Sequence, residues 1–336
     1  MAVRFYPMQI PALNGLRAIS ILCVLGAHML PLGPKVLRLN ETAGAMGMAL
    51  FFGLSGFLIT LHLASGQAVL DFAVRRLTRI LPLSYLYLTT VLLVFEYQPL
   101  AFFIDLFFIQ NYVALGLTPL TGHFWSLCVE VQFYLAIGVV VAMLGRQALW
   151  LVVPACLVVL GIRVAHGATI NIQTHLRVDE ILVGAVVALL YHRGFLTHRL
   201  SASWLLIAGA FWVLCSSPFM GPLQYLRPYA SGILLAITIM LESPPILKVL
   251  ESRAAAYVAA ISYALYVVHP ATIYGWMNEG SAQERYLLKR PLSFLATFVL
   301  AHLSTYHWER PWTQWGKRLT QPRPIVESAS PRQSKT

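Results

Sequence analysis

Arg17 and His28 lie eleven positions apart in the apolar run LNGLRAISILCVLGAHML. Eleven residues are close to three helical turns, so both side chains leave nearly the same face, about 16 Å apart along the axis. An ionisable group facing lipid is costly, and such a face is expected to point into the protein or a water-filled cavity. Histidine titrates near neutrality and suits general-base work on an alcohol nucleophile. Each residue also has a plainer reading: Arg17 as a helix-end residue snorkelling to the headgroups, His28 as a solvated residue at the outer helix end. In the next run, FFGLSGFLIT, Gly53, Ser55 and Gly56 fit close helix packing, and a nucleophilic role for Ser55 has no support.

The segment GHFWSLCVEVQFYL carries His123, Trp125, Ser126, Glu130 and Gln132. Glu130 sits among Val129, Val131 and Phe133, where a carboxylate is expensive unless it is paired or functional. Its expected partner is Arg17, His28 or another basic residue of the bundle, and a purely structural ion pair is the alternative. VRRLTRILP places Arg75, Arg76 and Arg79 at the start of an apolar run, with Arg76 and Arg79 on one helical face. They serve either orientation and anionic lipid or a clamp for the phosphates of a nucleotide cofactor. ISYALYVVHPA adds Tyr263, Tyr266 and His269, which line an acceptor pocket or anchor the interface. In YHWERPW, Glu309 and Arg310 read as a local ion pair fixing a helix end.

The elements that must hold these residues are set by composition. With 58% hydrophobic and 11% charged residues in a chain of 336, the solvent for most of the protein is lipid. Continuous runs rich in Leu, Ala and Val favour helices over a barrel, whose strands alternate. The fold class is therefore all-α: a polytopic transmembrane bundle. Apolar segments fall near 16–32, 44–63, 80–95, 100–116, 124–144, 148–163, 177–192, 202–217, 226–241, 255–273 and 291–308. The segment 100–116 contains Asp105, Gln110 and Asn111 between Pro99 and Pro119, and is read as re-entrant or interfacial. The other ten are read as spans with both termini in the cytoplasm, which puts fifteen Lys and Arg inside against eight outside. If 100–116 crosses, that bias reverses to ten against thirteen.

Residues 1–320 read as one transmembrane domain whose first run is a retained span, and 321–336, rich in Pro, Ser, Lys and Arg, as a disordered cytoplasmic tail. The net charge of +11 lies in short loops and the tail, so its partner is membrane lipid and not nucleic acid. The four cysteines stand inside apolar runs without a CxxC pair, and neither a disulfide nor a metal site is expected.

Taken together, NGLRAISILCVLGAH, FFGLSGFLIT, RRLTRILP, HFWSLCVEVQFYL, ISYALYVVHP and ERPW resemble, in content and order, the acyltransferase 3 family of membrane acyltransferases. The resemblance runs from about residue 11 to 312 and implies O-acylation of a carbohydrate or lipid-linked glycan with acetyl-CoA or another short acyl-CoA, in a bacterial inner membrane. It implies essential roles for Arg17 and His28, and it carries the family's paired arginines onto Arg76 and Arg79 and its Trp-Ser-Leu glutamate onto Glu130. Asn14 and Val131 depart from the Asp and second Glu common in the family, which bears on acceptor choice.

The expected mechanism has acyl-CoA docking from the cytoplasm with its phosphates near Arg75, Arg76 and Arg79, its thioester passing Arg17. His28, oriented by Glu130, deprotonates an acceptor hydroxyl held near His123, Trp125, Tyr263 and His269, and an acyl-enzyme intermediate on His28 is the open variant. The rival in another class is a transporter or flippase of a lipid-linked sugar, in which the same buried charges line a translocation path.

Overall fold

The computed structural model describes residues 10–321. The tail expected to be disordered, and Arg4, Arg323, Arg332 and Lys335 of the charge count, lie outside the described residues. Among the described residues the chain is helical, with no strand beyond an isolated bridge between Leu200 and Leu241. The principal helices are α1 (Ala12–Met29), α2 (Leu39–Ala64), α3 (Val69–Leu88), α4 (Pro99–Leu106), α5 (Trp125–Leu144), α6 (Val152–Ala165) and α7 (Asp179–His192). They continue as α8 (Ala202–Ser216), α9 (Arg227–Ile239), α10 (Pro244–Leu250), α11 (Arg253–Ile273), α12 (Arg290–Leu303) and α13 (Arg310–Leu319).

Among the described residues, six helical stretches are long and apolar enough to cross a membrane: Ala12–Met29, Lys35–Ala64, Val69–Phe95, Gly122–Leu144, Arg146–Ala165 and Pro244–Ile273. A seventh is reached if Ala202–Ser216 and Pro218–Ile239, bent by 115°, form one broken span. The ten spans expected from the apolar runs are more than these six or seven, since an apolar run can exceed the helix inside it or fall short in mean hydropathy. The run at 177–192 holds only the 14-residue α7, about 21 Å long against a hydrocarbon core of about 30 Å. At 291–308 the helix is long enough, α12 running through a π-wound turn at Ser304–Glu309 straight into α13, but the stretch is not among those that pass on composition. Segment 100–116 folds back: α4 has eight residues, and Gln110 Nε2 then donates to the Gly116 and Thr121 carbonyls at 2.6 and 3.0 Å.

Helix α2 is the central post. At Gly56 a Cβ would stand 1.9 Å from the Ile181 carbonyl oxygen, and at Gly184 1.9 Å from that of Gly53. The α2–α7 crossing therefore brings backbone onto backbone, as small residues permit in a membrane. Gly47 admits α1 in the same way, and Ser20 Oγ donates to its carbonyl at 2.8 Å. Glu41 and His62, near the two ends of α2, are about 32 Å apart along the axis. Each end faces a cavity.

Candidate active site

At the Glu41 end lies a cavity of about 750 Å³ whose wall includes His28, His123, Trp125, Arg177, Tyr266 and His269. His28 is in the last turn of α1, where backbone carbonyls lack helical partners. Asn40 Nδ2 donates to the Ala27 and Leu30 carbonyls at 2.7 and 2.6 Å, and Arg290 Nε to that of Met29 at 3.2 Å. The His28 ring so held puts Nδ1 2.9 Å from His269 Nε2. His123 Nε2 donates to the Val267 carbonyl at 3.1 Å, while Tyr266 Oη donates to that of His123 at 2.6 Å and receives Ser126 Oγ at 2.7 Å. These three bonds fasten the start of α5 to α11 and bring His123, Trp125 and His269 onto one wall.

At the His62 end a cavity of about 450 Å³ is lined by His62, Arg75, Arg76, Arg79, Glu309 and Lys317, among others. Arginine and lysine outnumber acid there, so the cavity suits an anion. Arg76 is 5.8 Å from the ring centres of both Phe72 and Tyr134, which stiffens a long side chain. Arg75 is committed elsewhere: its Nε donates to Thr320 Oγ1 at 2.6 Å, tying α3 to the end of α13. The expected Glu309–Arg310 pair is absent. Glu309 instead accepts from Thr305 Oγ1 at 3.1 Å and interacts electrostatically with Arg79.

Two expected placements are corrected. Glu130 does not orient His28: its Oε1 accepts from Ser55 Oγ at 2.6 Å and from the Tyr134 hydroxyl, and its charge acts on Arg17 and Arg79. Seven residues separate it from His123, which sinks it about 10 Å deeper along the helix. Glu130 and Arg17 thus belong to the arginine side, although neither is on the wall of that cavity. Tyr263 lines neither cavity, for its hydroxyl is spent on the Ile80 carbonyl at 2.6 Å. It stands about 9 Å below His269 on α11. The two cavities share no lining residue.

A buried charge cluster not legible in the sequence lies behind the histidine cavity. Arg163 pairs with Asp179, while Arg177 and Arg227 share Glu180 at 3.0 and 2.9 Å, all five side chains being buried. Arg163 and Arg227 also donate to the Thr169 carbonyl at 3.0 and 3.1 Å. Three guanidinium groups thus face two carboxylates. Of these five, only Arg177 reaches the cavity wall, its guanidinium 5.2 Å from the ring centre of Trp125. The available signal was Asp179-Glu180 opening one apolar run with Arg163 and Arg227 at the edges of its neighbours. At such edges a charge reads as part of a solvated loop.

Among the described residues no group of three or more His, Cys, Asp or Glu side chains is placed to hold a metal. A family model described as an acyltransferase domain matches residues 10–306. The chain is similar to the peptidoglycan O-acetyltransferase OatA of Listeria monocytogenes, 23% identical over 92% of this chain and 56% of that protein. It is also similar to the O-acetyltransferase OatA of Staphylococcus aureus, 26% identical over 56% of this chain and 36% of that protein. The chain therefore spans about half, or less, of the length of these curated relatives. No solved structure matches it. With the motifs arranged around two cavities and the family model covering most of its length, the chain belongs to the acyltransferase 3 family.

Proposed function

We propose that the protein is a membrane O-acyltransferase that carries a short acyl group, acetyl foremost, from cytoplasmic acyl-CoA to a hydroxyl of an envelope carbohydrate. The observation that carries this reading is the division of labour along α2: a cationic cavity at one end and a histidine cavity at the other. Arg76 and Arg79 take the CoA phosphates, since forked guanidinium groups match phosphate oxygens. The thioester end then passes Arg17 toward His28. Because the two cavities share no wall residue, the donor's slender pantetheine arm, and not the nucleotide, makes that passage.

His28 removes the proton as the acceptor oxygen attacks the thioester carbonyl carbon. The carbon–sulfur bond breaks, the sulfur leaves as thiolate and takes up the proton held by His28, and the ester remains on the acceptor. The acceptor reading draws on the relatives, which are named for O-acetylation and, in the Listeria protein, for peptidoglycan. A glycan that carries a carboxylate fits a cavity with an aromatic side chain at Trp125 and a buried cation at Arg177.

The test is acetyl-CoA turnover by protein in nanodiscs against a panel of peptidoglycan-type and neutral oligosaccharides. CoA release that needs an acceptor and disappears in His28→Ala supports the reading. Acceptor movement across the membrane without CoA release turns it toward the transporter class.

A further inference from the structure

Pro270 lies inside α11, where position 270 would ordinarily donate its N–H to the carbonyl of Tyr266. Proline has no such hydrogen, so that carbonyl is left open. His269 fills the gap with its side chain, Nδ1 standing 2.7 Å from the Tyr266 oxygen. A carbonyl only accepts, which fixes the proton of His269 on Nδ1 and leaves Nε2 as a bare lone pair in the neutral ring. That bare nitrogen is the atom 2.9 Å from His28 Nδ1. His28 must therefore be the donor in the pair.

The ring geometry agrees. The two imidazoles are within 8° of parallel with centroids 5.0 Å apart, which resembles a stack until the 2.9 Å nitrogen contact is considered. Rings lying face to face do not bring their atoms closer than about 3.5 Å. Two coplanar rings bonded edge to edge, with a ring radius added at each end of the hydrogen bond, reach roughly 5 Å. The N–H of one ring points at the lone pair of the other.

We infer that the His269-Pro270 pair is the orienting device of the His28 base: it locks His28 as the Nδ1–H tautomer and leaves Nε2 as the proton acceptor. His269 stands where a catalytic triad has its carboxylate, but it is neutral. It cannot pass the proton on, because its own Nδ1–H is held by the Tyr266 carbonyl. His28 therefore returns its proton to the departing thiolate. His123 gives its Nε2–H to Val267 and keeps a bare Nδ1 without a partner, but the nitrogen that stands within hydrogen-bond distance of His28 Nδ1 is that of His269.

This inference rests on His28 as the base, and its test separates the two. His269→Leu removes the acceptor for the His28 N–H, His269→Gln restores one through its side-chain oxygen, and Pro270→Ala gives Tyr266 its backbone donor back. Protein with ¹⁵N-labelled histidine in nanodiscs reports the tautomer of His28, and steady-state kinetics report kcat and KM. The expected wild-type spectrum has His28 protonated at Nδ1. In His269→Leu kcat falls about 100-fold or more with KM for acetyl-CoA unchanged, while His269→Gln recovers at least about tenfold of that loss. Pro270→Ala, which leaves both rings in place, loses the fixed tautomer and about tenfold in kcat.

A wild-type His28 protonated at Nε2, or a folded His269→Leu protein within threefold of wild type, overturns the inference. Turnover retained in His28→Ala overturns the reading of the base instead.

Discussion

Arg17 and His28 rise from one face of α1 yet serve opposite ends of the molecule. Arg17 lies in the field of Arg76, Arg79, Glu130 and Tyr134, and His28 is bonded to His269 across the other cavity. One helix face thus links the site proposed for the donor to the site proposed for the base, with about 16 Å of helix between them. The separation makes the functions of the two ends individually testable.

Replacement of His28 by Ala is expected to lower kcat by a factor of about 100 to 10,000, the usual contribution of a positioned base, with acetyl-CoA binding preserved. Binding is followed calorimetrically alongside turnover. Parallel loss of both would mean that His28 holds the donor and not the proton.

The three arginines of α3 should separate. Arg79→Ala and Arg76→Ala are expected to raise KM for acetyl-CoA at least about tenfold, since a charge-assisted hydrogen bond contributes about 1.5–3 kcal/mol. The binding should weaken with added salt. Arg75→Ala should lower the unfolding temperature through the lost Thr320 tie with KM nearly unchanged. An equal KM effect at all three positions would show a general basic surface.

Glu130→Gln keeps the shape of the side chain and removes the one acidic charge that acts on both Arg17 and Arg79 from α5. It should destabilise the protein more than Ser55→Ala, whose lost hydrogen bond is worth about 0.5–2 kcal/mol within a membrane. Thermal unfolding in detergent ranks the two. The reverse ranking would leave Glu130 as a neutral hydrogen-bond acceptor in the folded protein.

Gly56→Ala should cost about 1–3 kcal/mol or more, because its Cβ collides with the Ile181 carbonyl at 1.9 Å and a backbone cannot rotate aside. Gly209→Ala on α8 meets nothing within 4 Å and is the matched control. Similar unfolding temperatures for both variants would argue against the close α2–α7 crossing.

Arg177→Gln leaves Glu180 paired with Arg227 at 2.9 Å, so folding should survive. The expected effect is a higher KM for an acceptor that carries a carboxylate, with KM for acetyl-CoA and for a neutral acceptor unchanged. An effect on the donor alone would reassign Arg177.

Composition and patterning alone fix the solvent and the helical class, and they make most of the candidate site residues stand out. A chain so apolar must satisfy its backbone internally, and continuous runs do this as helices. Ionisable groups in such runs are costly enough to stand out, as Arg17, His28, Glu130 and His269 do. The polar residues of 100–116 marked a segment that folds back for the same reason. Partnership was not legible. Glu130 and His123 share a short motif, but the 1.5 Å rise of a helix carries them to different depths, and only packing gave Glu130 to Ser55 and Tyr134 and gave His269 to His28. The number of crossings escaped as well, since hydropathy averages over breaks such as the 115° bend between α8 and α9. Arg177 was hidden because a charge at the edge of an apolar run reads as solvated. Its burial depends on Asp179, Glu180, Arg163 and Arg227 meeting in space, and a meeting of three separate segments exists only in the tertiary structure.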